Sequence, residues 1–212
     1  MFRLLAVFAS IFFSAAFLCG CDSVVCDVSD VQATVVFDFR DSETQAQTRA
    51  CVFVQTSGDV SRTDSILVQR EDGDERWRVE NPVLLSSSSG EWAGSANIRG
   101  EAGLAIPEGN YRIFYKNASG DEAEAEFSVW YPDGMENCTA SDVLSRLESG
   151  SFSEKIAVYD RNLVLIFFGK LEKNDAASVL KKFPDGAFMR LCYQDNSKKY
   201  AVFMPPVSLL SN

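Results

Sequence analysis

From Val31 to Phe39 every second residue is apolar: Val31, Ala33, Val35, Phe37 and Phe39. Period 2 places all five on one face of an extended strand and scatters them around a helix, so this segment reads as a half-buried β-strand. The same reading continues down the chain. Ala50 to Gln55 is a second strand, and Ser65 to Arg70 and Glu75 to Val79 flank Glu71-Asp72-Gly73-Asp74, whose Asp-Gly is a hairpin signal. After Trp92 and a Gly-rich passage comes Tyr111-Arg112-Ile113-Phe114-Tyr115. The turn Asn117-Ala118-Ser119-Gly120 returns the chain with Ala125, Phe127, Val129 and Tyr131 on one face. About seven short strands, with frequent turns and no helical run over about 105 residues, point to a β-sandwich.

Beyond Tyr131 the periods mix. Thr139 and Ser141 are cap residues for a short helix carrying Val143, Leu144 and Leu147. Lys155 to Tyr159 and Leu163 to Phe168 form a hairpin around Asp160-Arg161-Asn162, and the unbroken apolar run of the second arm suits a strand buried on both faces. Asn174 or Asp175 caps a helix with Ala176, Val179, Leu180 and Phe183 on one stripe, stopped by Pro184. Strands at Ala187 to Gln194 and Lys199 to Met204 complete a small α+β unit.

Charge divides the chain at the same place. From Asp22 to Tyr131 there are 20 acidic and 9 basic residues, and from Pro132 to Asn212 there are 10 of each. The turn-rich Tyr131-Pro132-Asp133-Gly134 is the natural boundary. A net charge of −10 gives the whole chain no footprint for binding nucleic acid through phosphates. The chain has no His, which excludes Ser-His-Asp and Cys-His catalysis and His-ligated zinc or haem.

The N-terminus carries an address. Met1-Phe2-Arg3 is a short positive start, followed by the uncharged apolar run Leu4 to Leu18. Fifteen helical residues reach roughly 22 Å, short of a hydrocarbon core of about 30 Å, so the run reads as an export signal. Leu18-Cys19-Gly20-Cys21 resembles the lipobox of bacterial lipoproteins. The resemblance implies cleavage between Gly20 and Cys21 and acylation of Cys21, with palmitate-like chains anchoring the mature N-terminus in a membrane. In some enteric bacteria Asp22 in the next place is read as retention in the inner membrane. Other bacteria do not share that rule, so the resemblance favours the inner membrane without fixing it.

A second resemblance lies further on. Ile106-Pro107-x-Gly109-x-Tyr111-x-Ile113-x-Tyr115, with Glu126-Phe127-Ser128-Val129 after a Gly turn, is similar to the terminal hairpin of immunoglobulin-like and fibronectin-type-III-like modules in bacterial surface proteins. The Cys-Trp-Cys spacing of true immunoglobulin domains is absent. The expected layout is a signal peptide over 1–20, a lipidated tether over 21–30, an acidic immunoglobulin-like sandwich over 31–131 and a small α+β domain over 132–212.

Once Cys19 is removed and Cys21 is acylated, Cys26, Cys51, Cys138 and Cys192 remain, an even number compatible with two disulfides in any of three connectivities. Pairing within each half, Cys26 with Cys51 and Cys138 with Cys192, is the expected arrangement. Their spacings are not those of zinc sites, and no metal or cofactor is expected. Ser178-Val179-Leu180-Lys181 matches the Ser-x-x-Lys of penicillin-interacting enzymes, but its companion motifs are missing. Glu71, Asp72, Asp74 and Glu75 offer oxygen ligands without EF-hand spacing. Trp77, Trp92 and Trp130 could make a sugar-stacking platform, though core packing is the commoner use of such residues. The expected function is therefore non-catalytic: a tethered envelope lipoprotein that binds a partner protein or other envelope component, or assists assembly. The alternative is an envelope hydrolase or solute-binding component with carboxylates in an interdomain cleft. An exposed apolar patch of several hundred Å² would favour binding, and two carboxylates roughly 5 to 9.5 Å apart would favour hydrolysis.

Overall fold

The structure, a computed structural model, describes residues 26–101, 104–147 and 151–210. The protein is mainly β, with a curled nine-stranded sheet and a second sheet of four strands. The strands are β1 (Val28–Asp38), β2 (Gln47–Thr56), β3 (Thr63–Arg70), β4 (Arg76–Val79), β5 (Val83–Ser87), β6 (Gly90–Ile98), β7 (Gly109–Asn117) and β8 (Glu122–Val129). They continue with β9 (Phe152–Tyr159), β10 (Leu165–Gly169), β11 (Phe188–Asp195), β12 (Tyr200–Phe203) and β13 (Val207–Ser208). Two short helices, α1 (Ala140–Val143) and α2 (Ala176–Lys182), lie in the second half.

The long sheet runs β10-β9-β11-β12-β1-β2-β6-β5, with β13 against β11, and the short one runs β4-β3-β7-β8. The alternation of β1 does what its period requires. Val35 and Phe37 point between the sheets and are buried, joined there by Ala50, Val52 and Val54 of β2 and by Ile66, Val68, Tyr111, Ile113 and Tyr115 from the short sheet. Phe37 meets Tyr131 edge-on at 5.1 Å between ring centroids, and Tyr111 stacks on Phe127 at 5.3 Å. Gly94 is required where β6 crosses β2: a Cβ there would stand 2.1 Å from the Val52 carbonyl oxygen.

The hairpin over Asp72-Gly73 joins β3 to β4, and that over Asn117 to Gly120 joins β7 to β8. β5 was not foreseen, because Val-Leu-Leu-Ser-Ser lacks alternation. Asp175 caps α2 by accepting from the Ser178 amide, and Pro184 follows its end. Thr139 makes no such cap on α1, because its hydroxyl is engaged with the Asp142 carboxylate.

The expected boundary at Tyr131-Pro132 is a turn, with Gly134 in the left-handed region at φ 72°. On either side of it, however, the chain builds one sheet. β12 pairs in parallel with β1, Val35 facing Tyr200 and Asp38 facing Phe203. Met135, Val143, Leu147, Tyr193, Tyr200 and Val202 all pack into the core begun by the first half. A smaller cluster of Ile156, Val158, Val179 and Leu209 lies under α2 at the far end. Among the described residues, no helix is long and apolar enough to cross a membrane.

Candidate binding surface

The face of the long sheet turned away from the core gathers a mixed set of side chains near its β10 end. Strand register explains which ones. Asp38 lies beside Phe203, Phe203 faces Cys192, and Arg190, two positions along β11, faces Ala157 of β9. Ala157 in turn faces Phe168 of β10, while Tyr159 faces Leu165. Arg49 opposite Val36 completes the set from β2. Asp38, Arg49, Tyr159, Leu165, Phe168, Arg190 and Phe203 line a hollow of about 300 Å³.

Arg190 is the knot of this surface. Its guanidinium donates to Asp38 Oδ1 at 2.6 Å, to the carbonyls of Phe39 and Phe203 at 2.8 and 3.2 Å, and through Nε to the carbonyl of Met204 at 2.7 Å. It also lies over the Phe203 ring at 5.5 Å. The second oxygen of Asp38 accepts from Arg49 at 3.1 Å. Both oxygens of the carboxylate are thus engaged by guanidiniums, and the hollow offers no second carboxylate as an acid–base partner. Burial raises the Tyr159 hydroxyl above its ordinary pKa, with Asp38 adding to the shift and Arg190 and Arg49 opposing it. Lys155 stands over the Phe168 ring at 5.3 Å.

Beside this hollow, the strand expected to be buried on both faces lies at the open end of the sheet. Leu163, Val164, Leu165, Ile166 and Phe168 are 69, 57, 50, 40 and 43% exposed. At roughly 200 Å² for a whole side chain of this size, the strip exposes on the order of 500 Å² of apolar surface. Only Phe167 turns inward, stacking on Phe183 of the α2 end at 4.7 Å. The sequence reading failed here because an apolar run looks the same whether its second neighbour lies in the same chain or outside it.

Compared with family models, with curated proteins and with solved structures, the chain finds no match in any of the three.

Gly20 and Cys21, the expected processing and lipidation residues, lie outside the described residues. The expected disulfides are corrected: Cys26, Cys51, Cys138 and Cys192 are all free thiols. Cys51 faces Thr34, and Cys26 precedes Thr34 by eight residues along extended chain, a separation of roughly 25 Å. A disulfide needs Cα atoms within about 7 Å. Cys138 sits in the core between the sheets, donating to the Gly134 carbonyl at 3.3 Å. Cys192 points to the opposite face with Arg190, so the backbone of the long sheet lies between the two thiols.

The tryptophans form no platform. Trp77 packs on Tyr111 and donates to the Arg99 carbonyl, Trp92 is buried, and Trp130 meets Tyr200. In the acidic turn, Glu71 pairs with Arg112 and Glu75 with Arg70, and no group of metal-ligating side chains occurs among the described residues.

Burial pushes the Cys192 thiol up to about 11 against the pull of Lys155 and Arg190, and pushes Tyr131 up to about 12. Their unfolded counterparts titrate near 8.5 and 10, so over the intervening pH range the folded state holds protons that the unfolded chain releases. This contribution is fully present below about pH 8.5 and is lost as pH rises towards 11 and 12. The denaturant midpoint is expected to fall between pH 8 and pH 10.5, and an unchanged midpoint contradicts the assignment. At pH 8 the buried Cys138 and Cys192 should resist a thiol reagent until the protein is unfolded, when both react.

Proposed function

We propose that this chain is a bacterial lipoprotein, held by acyl chains on Cys21 at the periplasmic face of a membrane, and that it works there as a non-catalytic binding or assembly module. The observation that carries the binding role is the apolar run from Leu163 to Phe168, the approach to β10 and most of β10 itself, exposed over several hundred Å² where a soluble protein ordinarily scatters such residues singly. The anchor follows from the apolar run and Leu18-Cys19-Gly20-Cys21. Several acyl chains at about 0.8 kcal/mol per buried CH₂ hold a protein durably, where one myristoyl chain does not.

In this reading the first eight strands form the immunoglobulin-like unit. Its support is the strand order, β1-β2-β6-β5 facing β4-β3-β7-β8, together with Tyr111 at the start of β7, whose hydroxyl reaches back to the Pro107 carbonyl at 2.7 Å. The second half extends that sandwich sideways from β1 and carries the binding strip at its far end.

Replacing Cys21 by Ala is expected to abolish labelling with a fatty-acid analogue and leave an uncleaved precursor. Survival of the label until Cys19 is also replaced would move the mature start two residues upstream. For the binding role, a photo-crosslinking residue at position 168 of the anchored protein in intact cells is expected to capture a macromolecule. A chain that stays uncaptured there, while the label confirms its anchor, would sink the binding role.

A further inference from the structure

We propose that the hollow beside β10 binds a carboxylate carried on an apolar or aromatic body. Arg49, Arg190 and Tyr159 meet the charge, and Leu165, Phe168 and Phe203 meet the body. The inference rests on the binding role and names the chemistry of what is bound. Donors are in surplus here, since a guanidinium has five N–H groups. The four hydrogen bonds of Arg190 leave from Nε and Nη2, and the two N–H groups of Nη1 take no part in them. Arg49 gives Nη1 to Asp38, has the Cys51 thiol as its other polar neighbour and stays 30% exposed. Tyr159 lines the same hollow and its hydroxyl bonds to none of the described residues. Asp38, the one carboxylate in the lining, already has both oxygens engaged.

Charge, shape and size select the ligand. Two arginines against one aspartate leave the lining positive in a chain of net charge −10. Lys155, over the Phe168 ring and bonded to Gln194, adds the same sign at the rim. A cation is repelled there, and a neutral ligand leaves the surplus donors unmatched. A carboxylate is planar and accepts two N–H groups side by side from one guanidinium. It is also charged at one end only, so its substituent is free to cover Leu165, Phe168 and Phe203. A phosphate ion has polar oxygens on every side and nothing to set against those apolar walls. The volume of about 300 Å³ lies at the lower end for small-molecule sites, room for a body of about one ring.

The test is titration of the full-length chain, in micelles of a zwitterionic detergent, with 3-phenylpropionate, read from the side-chain resonances of labelled arginine. Saturating shifts at Arg49 and Arg190 are expected, with a dissociation constant of about 1 mM for so small a ligand. The neutral 3-phenylpropanamide and the cationic phenethylammonium should each bind about tenfold more weakly or worse. Inorganic phosphate should not displace the acid. Arg49→Met should weaken the acid about tenfold and Tyr159→Phe about threefold, each with the circular dichroism of the parent. Arg49→Lys, which keeps the charge and loses the fork, should fall between parent and Arg49→Met. The other end of the sheet, β5, exposes Leu84 as well, and Leu84→Ser should change nothing, which separates the hollow from general adsorption. Equal binding of acid and amide, displacement by inorganic phosphate, or an acid indifferent to Arg49→Met overturns the proposal. If the acid fails to bind while position 168 still captures a macromolecule in cells, the ligand assignment falls and the binding role stands.

Discussion

Cut between Tyr131 and Pro132, the chain is expected to give two fragments that do not fold apart and that regain structure when mixed. Met135, Val143, Leu147, Tyr193, Tyr200 and Val202 belong to the second half by sequence and to the shared core by position. Exposing these buried side chains at about 1.5–3 kcal/mol each costs on the order of 9–18 kcal/mol, as large as the whole stability of an ordinary domain. Separation also removes the hydrogen bonds from Val35 N to the Lys199 carbonyl and from Phe39 N to the Phe203 carbonyl, leaving β1 as a raw edge. The fragment from Pro132 keeps only the small cluster under α2 and should show collapsed amide resonances. Well-dispersed spectra from both fragments alone would show that each has a sufficient core and that the shared one is dispensable.

Arg190→Met is expected to be the most damaging single substitution on the outer face of the sheet. The side chain is 14% exposed and ties Asp38 to three backbone carbonyls at the ends of β1 and β12. Methionine keeps most of the volume and removes every donor. The loss of a partly buried charged hydrogen-bonding partner costs about 3 kcal/mol, at the lower end for buried pairs because water reaches Asp38. For a chain of this size that is a fall of roughly 6–12 °C in Tm. Arg49→Met removes one bond from a side chain that is 30% exposed and should cost about 1 kcal/mol or less. Asp38→Asn in the Arg190→Met background should return part of the loss by removing the stranded charge. Equal effects of Arg49→Met and Arg190→Met would show that the carbonyl contacts contribute nothing.

The cysteines show how far sequence reasoning reaches and where it stops. An even number of them in a chain whose sequence reads as exported leads to the expectation of a disulfide framework, yet all four described thiols are free. Pairing depends on distance and facing. Those are set by the ladder between β1 and β2 for Cys26 and Cys51, and by which side of β11 the Cys192 side chain leaves for Cys138 and Cys192. Neither is written in spacing along the chain. Asp38 and Arg190 were missed for the same reason, since they are 152 residues apart and meet only because β12 lies in parallel beside β1. The one signal they leave in the sequence is a charge between apolar neighbours, Asp38 between Phe37 and Phe39 and Arg190 between Met189 and Leu191.

What the sequence by itself determined is local. Alternation over Val31 to Phe39 set which face of β1 turns inward, Asp72-Gly73 and Asn117 to Gly120 set two hairpins, and Asp175 with Pro184 bounded α2. Each depends on dihedral preferences and side-chain periods within a few residues, which a chain carries wherever it is placed. The tertiary structure alone decided that the two halves share a sheet, that the thiols stay apart and that the apolar β10 lies at an edge. Those outcomes depend on pairings between distant segments, and an extended apolar strand accepts many neighbours at nearly equal local cost. Only the assembled sheet selects among them, by the area it buries and the backbone groups it leaves unpaired.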